Sequence, residues 1–403
     1  MMRLIFIIYS VVSALLLFDH VFVVSLNDGL ALRPPMGWRT WNAYACNVNQ
    51  TIIERIMDLM NEPPHLFGIH DGVSLRSLGY QDVGLDDCWQ KCGAGYKGSY
   101  HTEAGVPIVD ETKFTDLGGM VEYGHARNLT VGWYANNCVC SEHGFSDEEV
   151  NLQIQGDVKA VVEFKFDGIK LDGCGQKLDL SRYAALFKEH NHTAMIENCH
   201  WGNDLMTPNS CPYHFARTSQ DISRTWEGFY LNFQTMAKTH GMSGPGCWTY
   251  PDMLEVGNMN GSFYETRAHF GAWCITSSPL ILSFDLTNIL IFKNVWSIIS
   301  NELAIEVNQA WAGEAGRLLY SWDPVDVNSR DIPYYIWVVA CDEFDEEQQG
   351  WILSSTEELS ELRWKVDDFE RLVSKQNNNR NIPLMPLNSG LISNLTNGGN
   401  IFS

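Results

Sequence analysis

Two aspartates stand out by their company. Asp172 closes the run Lys170-Leu171-Asp172, and Asp221 lies in Arg217-Thr218-Ser219-Gln220-Asp221-Ile222, forty-nine positions further on. Two carboxyl groups facing one bond can divide a task between them. One attacks carbon or activates water while the other protonates the departing oxygen, which is the chemistry of glycoside hydrolysis. Period-2 alternation puts Lys170 and Asp172 on one side of a strand, where an ammonium group would hold Asp172 ionised and reach a hydroxyl. From spacing alone a surface Lys–Asp pair also fits, and Asp221 also fits the N-cap of a helix over Ser223–Thr239. Asp86 and Asp87 form a second acidic pair, suited to vicinal sugar hydroxyls; in strand conformation only one of them faces inward. A metal site is the rival for that pair, but no HExxH, CxxC pair or EF-hand loop accompanies it. Trp41 and Trp89 have apolar bodies that stack on a sugar face or fill a core. With no G-x-S-x-G elbow, Walker loop or G-x-G-x-x-G opening a helix, serine-triad, phosphate-loop and dinucleotide chemistry are disfavoured. Neither a metal nor a cofactor is expected.

The elements that would position these residues alternate along the chain. Short apolar segments (Met36–Trp41, Tyr80–Leu85, Thr130–Ala135, Gly168–Leu171, Ala194–Glu197, His214–Thr218, Cys247–Pro251, Leu280–Phe284) are separated by segments of helical period, such as Thr51–Met60, Leu117–Arg127, Glu148–Phe164, Asp179–His190, Trp226–Thr239 and Tyr264–Thr276. About eight alternations in some 250 residues predict a (β/α)₈ TIM barrel, an α/β fold whose active site is built at the C-terminal ends of the strands. Asp86-Asp87, Tyr134, Lys170 to Asp172, Arg217 to Asp221 and Pro251-Asp252 all fall there. A helix over Val295–Val307 then leads to Tyr320–Trp322 and Tyr334–Val339, read as strands of a small C-terminal antiparallel β domain, diverged or incomplete beyond Ser354. Glu357–Val373 reads as an amphipathic helix and the Asn-rich sequence after it as a tail. The domains expected are a signal peptide over 1–25, a catalytic barrel over 26–313 and the β domain with its polar tail over 314–403.

Bulk properties narrow the class. A chain of 403 residues, 45% hydrophobic and 19% charged, can bury a barrel core and a second domain. Its 27 Lys and Arg against 49 Asp and Glu leave a formal charge of −22, which repels phosphate backbones and anionic headgroups and argues against nucleic-acid or membrane-surface partners. Met1-Met2-Arg3, the apolar run to Phe18 and the small-residue exit at Ser25 form a signal-peptide pattern; a membrane anchor competes, but Asp19 and His20 interrupt the stretch. Eleven cysteines and sequons at Asn49, Asn128, Asn191, Asn260 and Asn394 suit a disulfide-forming, glycosylating route to a secreted or lysosomal/vacuolar destination. The oligomeric state stays open, a homodimer included.

Five ordered motifs resemble glycoside hydrolase family 27, the α-galactosidases and α-N-acetylgalactosaminidases. They are Met36-Gly37-Trp38-x-x-Trp41, Asp86-Asp87-Cys88-Trp89, Lys170-Leu171-Asp172-Gly173-Cys174, Arg217-x-x-x-Asp221-Ile222 and Gly244-Pro245-Gly246-x-Trp248-x-x-Pro251-Asp252-Met253-Leu254. The resemblance spans roughly Leu26 to Gly313. It implies a retaining double displacement with Asp172 as nucleophile and Asp221 as acid/base, on carboxyl groups about 5 Å apart. It places Trp41, Asp86, Asp87, Tyr134, Lys170, Arg217 and Asp252 around a galactose, with Asp86 and Asp87 at the hydroxyls of C4 and C6. It also implies disulfides Cys46–Cys88, Cys140–Cys174 and Cys199–Cys211, leaving Cys92, Cys138, Cys247, Cys274 and Cys341 unassigned. Where animal members have Cys-Glu-Trp, this chain has Cys199-His200-Trp201, so His200 and Trp201 are expected at the sugar's 2-substituent. Galactose, N-acetylgalactosamine and β-arabinopyranose all remain open as the sugar. A non-catalytic sugar-binding protein is the alternative of another class.

Overall fold

The computed structural model describes residues 25–65, 68–69, 72–207, 209–239, 241–311, 313, 315–322 and 334–338, the last two strands by backbone alone. The expected signal sequence, apart from Ser25, and the helix and tail expected after 354 lie outside the described residues.

Eight parallel strands form the centre: β1 (Met36–Arg39), β2 (Asp82–Gly84), β3 (Thr130–Ala135), β4 (Gly168–Asp172), β5 (Met195–Cys199), β6 (Phe215–Arg217), β7 (Trp248–Tyr250) and β8 (Leu280–Leu282). Their order is β7-β6-β5-β4-β3-β2-β1-β8, and a parallel bridge between Leu254 and Leu282 joins the two ends into a (β/α)₈ barrel. Between them run α1 (Trp41–Tyr44), α2 (Gln50–Asn61), α3 (Leu117–His125), α4 (Asp147–Phe164), α5 (Leu180–Glu189), α6 (Trp226–Gln234), α7 (Phe263–Ile275), α8 (Ile289–Ile299) and α9 (Glu302–Gln309).

Helix starts follow local chemistry. Asn49 caps α2 by accepting from the Ile52 N–H, and Ile53, Ile56, Met57 and Met60 then recur on its buried face. Ser146 with Glu149 and Ser262 with Glu265 form capping boxes on α4 and α7. The single helix expected over Val295–Val307 is two. Asn301 accepts from the Ala304 N–H and starts α9 afresh, a break invisible to apolar periodicity. Arg317–Trp322 (β9) and Tyr334–Val338 (β10) pair antiparallel.

Alternation along the strands divides the core in two. Trp38, Val83, Val131, Trp133, Ile169, Leu171 and Ile196 pack into the layer shared with the helices. Phe215, Trp248, Tyr250, Met253 and Ile281 form a separate cluster in the barrel interior. That interior also holds charge: Arg39 pairs with Glu197 and, at 3.5 Å, with Asp82, and Tyr250 donates to Glu197. Space for the guanidinium comes from Gly84, where a Cβ would lie 2.7 Å from Arg39 Nε. Such a buried ion pair is strongly destabilised when one partner alone is lost.

Candidate active site

Beyond the C-terminal ends of the strands lies a cavity of about 120 Å³, lined by Trp41, Asp86, Asp87, Tyr134, Lys170, Asp172, Trp201, Arg217, Asp221 and Asp252, together with Asn42, Cys138, Ile222 and Met253. Ten of the eleven residues singled out as catalytic or substrate-binding meet there. The last four were not singled out as site residues; Ile222 and Met253 lie within the quoted motifs and Asn42 adjoins one, whereas nothing in the sequence marks Cys138.

Asp172 ends β4 with its side chain buried. Its Oδ2 accepts from the Tyr134 hydroxyl at 2.8 Å and its Oδ1 from the Gly173 N–H at 2.8 Å. Burial raises its carboxyl pKa above the ordinary value, and the Lys170 charge and the Tyr134 hydrogen bond pull the other way. The expected surface Lys–Asp alternative does not apply, because both side chains are buried. Nor does Lys170 bond Asp172: its Nζ sits 2.8 Å from Asp86 Oδ2 and acts on Asp172 through space.

Asp221 contrasts with Asp172 in every respect. Its side chain is 79% exposed, and its Oδ1 accepts from Arg217 Nη2 at 2.7 Å. It caps no helix, since α6 is capped by Thr225. Arg217 also donates to Asp252 Oδ2 at 3.3 Å and to the Ser219 carbonyl at 3.0 Å. Asp252 Oδ2 accepts from the Ile222 N–H as well, at 2.9 Å, so one buried guanidinium ties the β6 and β7 loops together.

Asp86 and Asp87 both line the cavity, against the strand-based expectation that one must turn away. β2 ends at Gly84, and Cys88 adopts a left-handed φ of 78°, so the pair lies on a turn where alternation no longer holds. The two differ in freedom. Asp87 accepts from the Cys88, Cys138 and Val139 N–H groups at 2.7, 2.9 and 2.9 Å, from Gln90 Nε2 at 2.6 Å and from Asn137 Nδ2 at 3.3 Å. Five donors fill the roughly four lone-pair sites of a carboxylate, so Asp87 clamps the β2 loop to the β3 loop. Trp89 is core: its indole donates to the Tyr134 carbonyl and packs on Trp133.

His200, expected at the sugar's 2-substituent, does not line this cavity. Glu197 faces Arg39 in the barrel and Cys199 shares that face, so the residue after the strand turns outward. His200 is buried, bonded through Nδ1 to Asp204 at 2.8 Å, and is absent from the cavity wall. Trp201, at φ 53°, reverses the chain and reaches the wall instead. Gly202 completes the reversal at φ +85°, where a Cβ would also stand 2.5 Å from the Thr218 carbonyl oxygen.

Four disulfides are present: Cys46–Cys88, Cys92–Cys140, Cys138–Cys174 and Cys211–Cys247. Two expected pairings are therefore wrong. Cys199 ends β5 at the mouth of the barrel, while Cys211 and Cys247 precede β6 and β7 at its opposite end, with Cα atoms 6.4 Å apart. Cys199 cannot reach Cys211, and it is a buried free thiol. Cys138 and Cys174 follow the neighbouring strands β3 and β4, 5.1 Å apart at Cα, which leaves Cys140 to Cys92. Cys274 is buried and free, and Cys341 lies outside the described residues. Cys138, Asp172 and Cys174 bring three ligand-type atoms within 4.8 Å of one another, but both sulfurs are spent in their disulfide. Among the described residues no helix is long and apolar enough to cross a membrane.

A closed (β/α)₈ barrel with two differently exposed carboxyl groups at its mouth, one of them backed by a lysine and a tyrosine, has the architecture of a glycoside hydrolase. Residues 33–310 match the family model described as alpha galactosidase A, and the chain belongs to that family, glycoside hydrolase family 27. It is 29% identical over 315 residues to an alpha-galactosidase of Oryza sativa subsp. japonica, covering 75% of this chain and 70% of the relative. Against alpha-galactosidase 3 of Arabidopsis thaliana it is 32% identical over 73% of this chain and 64% of that one. Against the alpha-N-acetylgalactosaminidase of Gallus gallus it is 28% identical over 72% and 74%. The solved alpha-galactosidase of Saccharomyces cerevisiae shares the fold, with a TM-score of 0.64 at 22% identity over 78% of this chain and 72% of the other.

Proposed function

We propose that the protein is an exo-acting, retaining α-galactosidase that removes terminal α-linked galactose from oligosaccharides, glycolipids or glycoproteins. The observation that carries this reading is the meeting of Asp172 and Asp221 in one cavity with Lys170, Tyr134, Arg217 and Asp252. Asp172 attacks the anomeric carbon while Asp221, in its acid form, gives its proton to the departing glycosidic oxygen. Asp221, now a carboxylate, then takes a proton from the water that breaks the galactosyl ester, and galactose leaves with its configuration retained. The exposure of Asp221 suits this role, since both the leaving group and the water must reach it. Asp86, with Lys170 behind it, and Trp41 are assigned to the sugar.

Similarity to an alpha-N-acetylgalactosaminidase and the withdrawal of His200 from the wall support a second reading, in which the 2-position accepts an acetamido group beside Trp201. Four disulfides also support maturation in an oxidising compartment and a secreted or lysosomal destination. The test is hydrolysis of nitrophenyl α-galactoside, α-N-acetylgalactosaminide and β-arabinopyranoside by the wild type, Asp172→Ala and Asp221→Ala. Cleavage of the galactoside alone, lost in both variants, is expected. No cleavage of any by folded wild type would end the catalytic reading and leave a sugar-binding protein.

A further inference from the structure

The loop after β1 carries a cavity residue whose orientation is set from behind. Asn42 lies on the cavity wall beside Trp41. Its Nδ2 donates to Glu255 Oε1 at 2.6 Å, its backbone N–H donates to Ser283 Oγ at 3.1 Å, and its carbonyl accepts from the Arg224 guanidinium. Glu255 holds one N–H of the carboxamide and so fixes which way it points, and Oδ1, an acceptor with no hydrogen bond among the described residues, is turned away from Glu255. Arg224 follows Asp221 by three residues. Its bond to Asn42 therefore joins this loop to the segment carrying the acid/base and puts Asn42 on the side where the leaving group departs.

Glu255 is itself enclosed. Arg224 and Asp252 act on its charge, Asn258 stands near its carboxyl, and its backbone N–H donates to His269 Nε2 of α7 at 2.9 Å. Burial pushes its carboxyl up to about 7 against the pull of Arg224. Once ionised it only accepts, and it then requires the NH₂ end of Asn42.

We propose that Asn42 reads a hydroxyl of the leaving-group sugar, accepting its hydrogen through Oδ1, and that Glu255 is the positioning residue that fixes which end of the carboxamide is offered. This rests on the α-galactosidase reading above. The experiment compares two donors with the same galactosyl group at pH 8, above the Glu255 carboxyl's value of about 7 so that it is ionised: α-galactosyl fluoride, whose leaving group has no hydroxyl, and galactosyl-α-1,6-glucose. In Asn42→Ala, kcat/KM for the disaccharide falls about tenfold relative to that for the fluoride, the worth of one hydrogen bond, with the change mainly in KM. Glu255→Gln, near-isosteric and usable even where Asn42→Ala folds poorly, offers Asn42 either end and lowers the same ratio about threefold; the double variant goes no lower than Asn42→Ala alone. Equal losses on both donors would mean a purely structural role and would overturn the proposal, as would additive losses in the double variant for the part played by Glu255. A wild type that turns over neither donor overturns the functional reading and this one with it. Turnover with an unmoved ratio sinks this one alone.

Discussion

The Tyr134 hydroxyl donates to Oδ2 of Asp172 at 2.8 Å, on the carboxyl group that burial has already made reluctant to ionise. In the proposed mechanism Asp172 attacks as a carboxylate, so its protonation should set the acid limb of the kcat/KM profile, and its raised pKa should place that limb above the ordinary aspartate value of 3.8. Tyr134→Phe deletes a donor to the charged form. The acid limb is expected to move further up, by about one pH unit for a hydrogen bond to a charged group. Initial rates from pH 3 to 8 decide it; an unmoved limb would mean that this hydroxyl does not tune Asp172.

The two carboxyl roles separate by rescue. Asp221→Ala is expected to lose about 10²–10⁴ in rate on substrates with poor leaving groups and far less on α-galactosyl fluoride, which needs no proton. Added azide should attack the galactosyl-enzyme and give the α-azide. Asp172→Gly, with no covalent intermediate, should give the β-azide instead. Proton NMR of the products reads the anomers, and exchanged outcomes would exchange the assignments.

Glu255 makes stability depend on pH. Its folded-state pKa of about 7 lies above the ordinary glutamate value of 4.5, so the stabilisation is full below about 4.5 and is lost as pH rises through 7. The rise from 4.5 to about 7 corresponds to roughly 3–4 kcal/mol at most. Thermal melting of the wild type should fall relative to Glu255→Gln between pH 4.5 and 7.5; parallel curves would show that the carboxyl does not titrate in that range.

The disulfide pattern is open to direct mapping. Non-reducing peptide analysis should find Cys92 joined to Cys140 and Cys211 to Cys247, with Cys199 alkylated only after unfolding. Cys211→Ala is expected to cost roughly 2–5 kcal/mol by opening a crosslink, and Cys199→Ala to leave every crosslink closed. A Cys199–Cys211 peptide would refute the pairing described above.

The barrel was legible because the strands are short, mostly apolar and bounded by turns, and because Asp86, Asp172, Arg217 and Asp252 follow or end such segments, with Lys170 two residues before the end of its own. What stayed hidden depends on direction rather than position. Alternation holds only while the chain is extended, so it misjudged Asp86 and Asp87 on their turn and could not foresee that His200 points to Asp204 while Trp201 doubles back. Cysteine spacing carries no information about which end of a barrel a residue occupies, and that decided Cys199 against Cys211. The pairing of Arg39 with Glu197 and Asp82 was equally hidden, since each residue looks ordinary in its own segment.

That interior pairing couples positions far apart in the chain. Arg39 fits only because β2 presents Gly84 beside it, with no room for even a methyl group 2.7 Å from the guanidinium. The two positions are therefore a single steric unit. A larger residue at 84 must push the Arg39 guanidinium aside and disturb its pairing, and a smaller residue at 39 strands Glu197 without its counter-charge. Variation in this barrel interior therefore has to keep Arg39, Gly84 and Glu197 mutually compatible, a constraint that spans three separate strands.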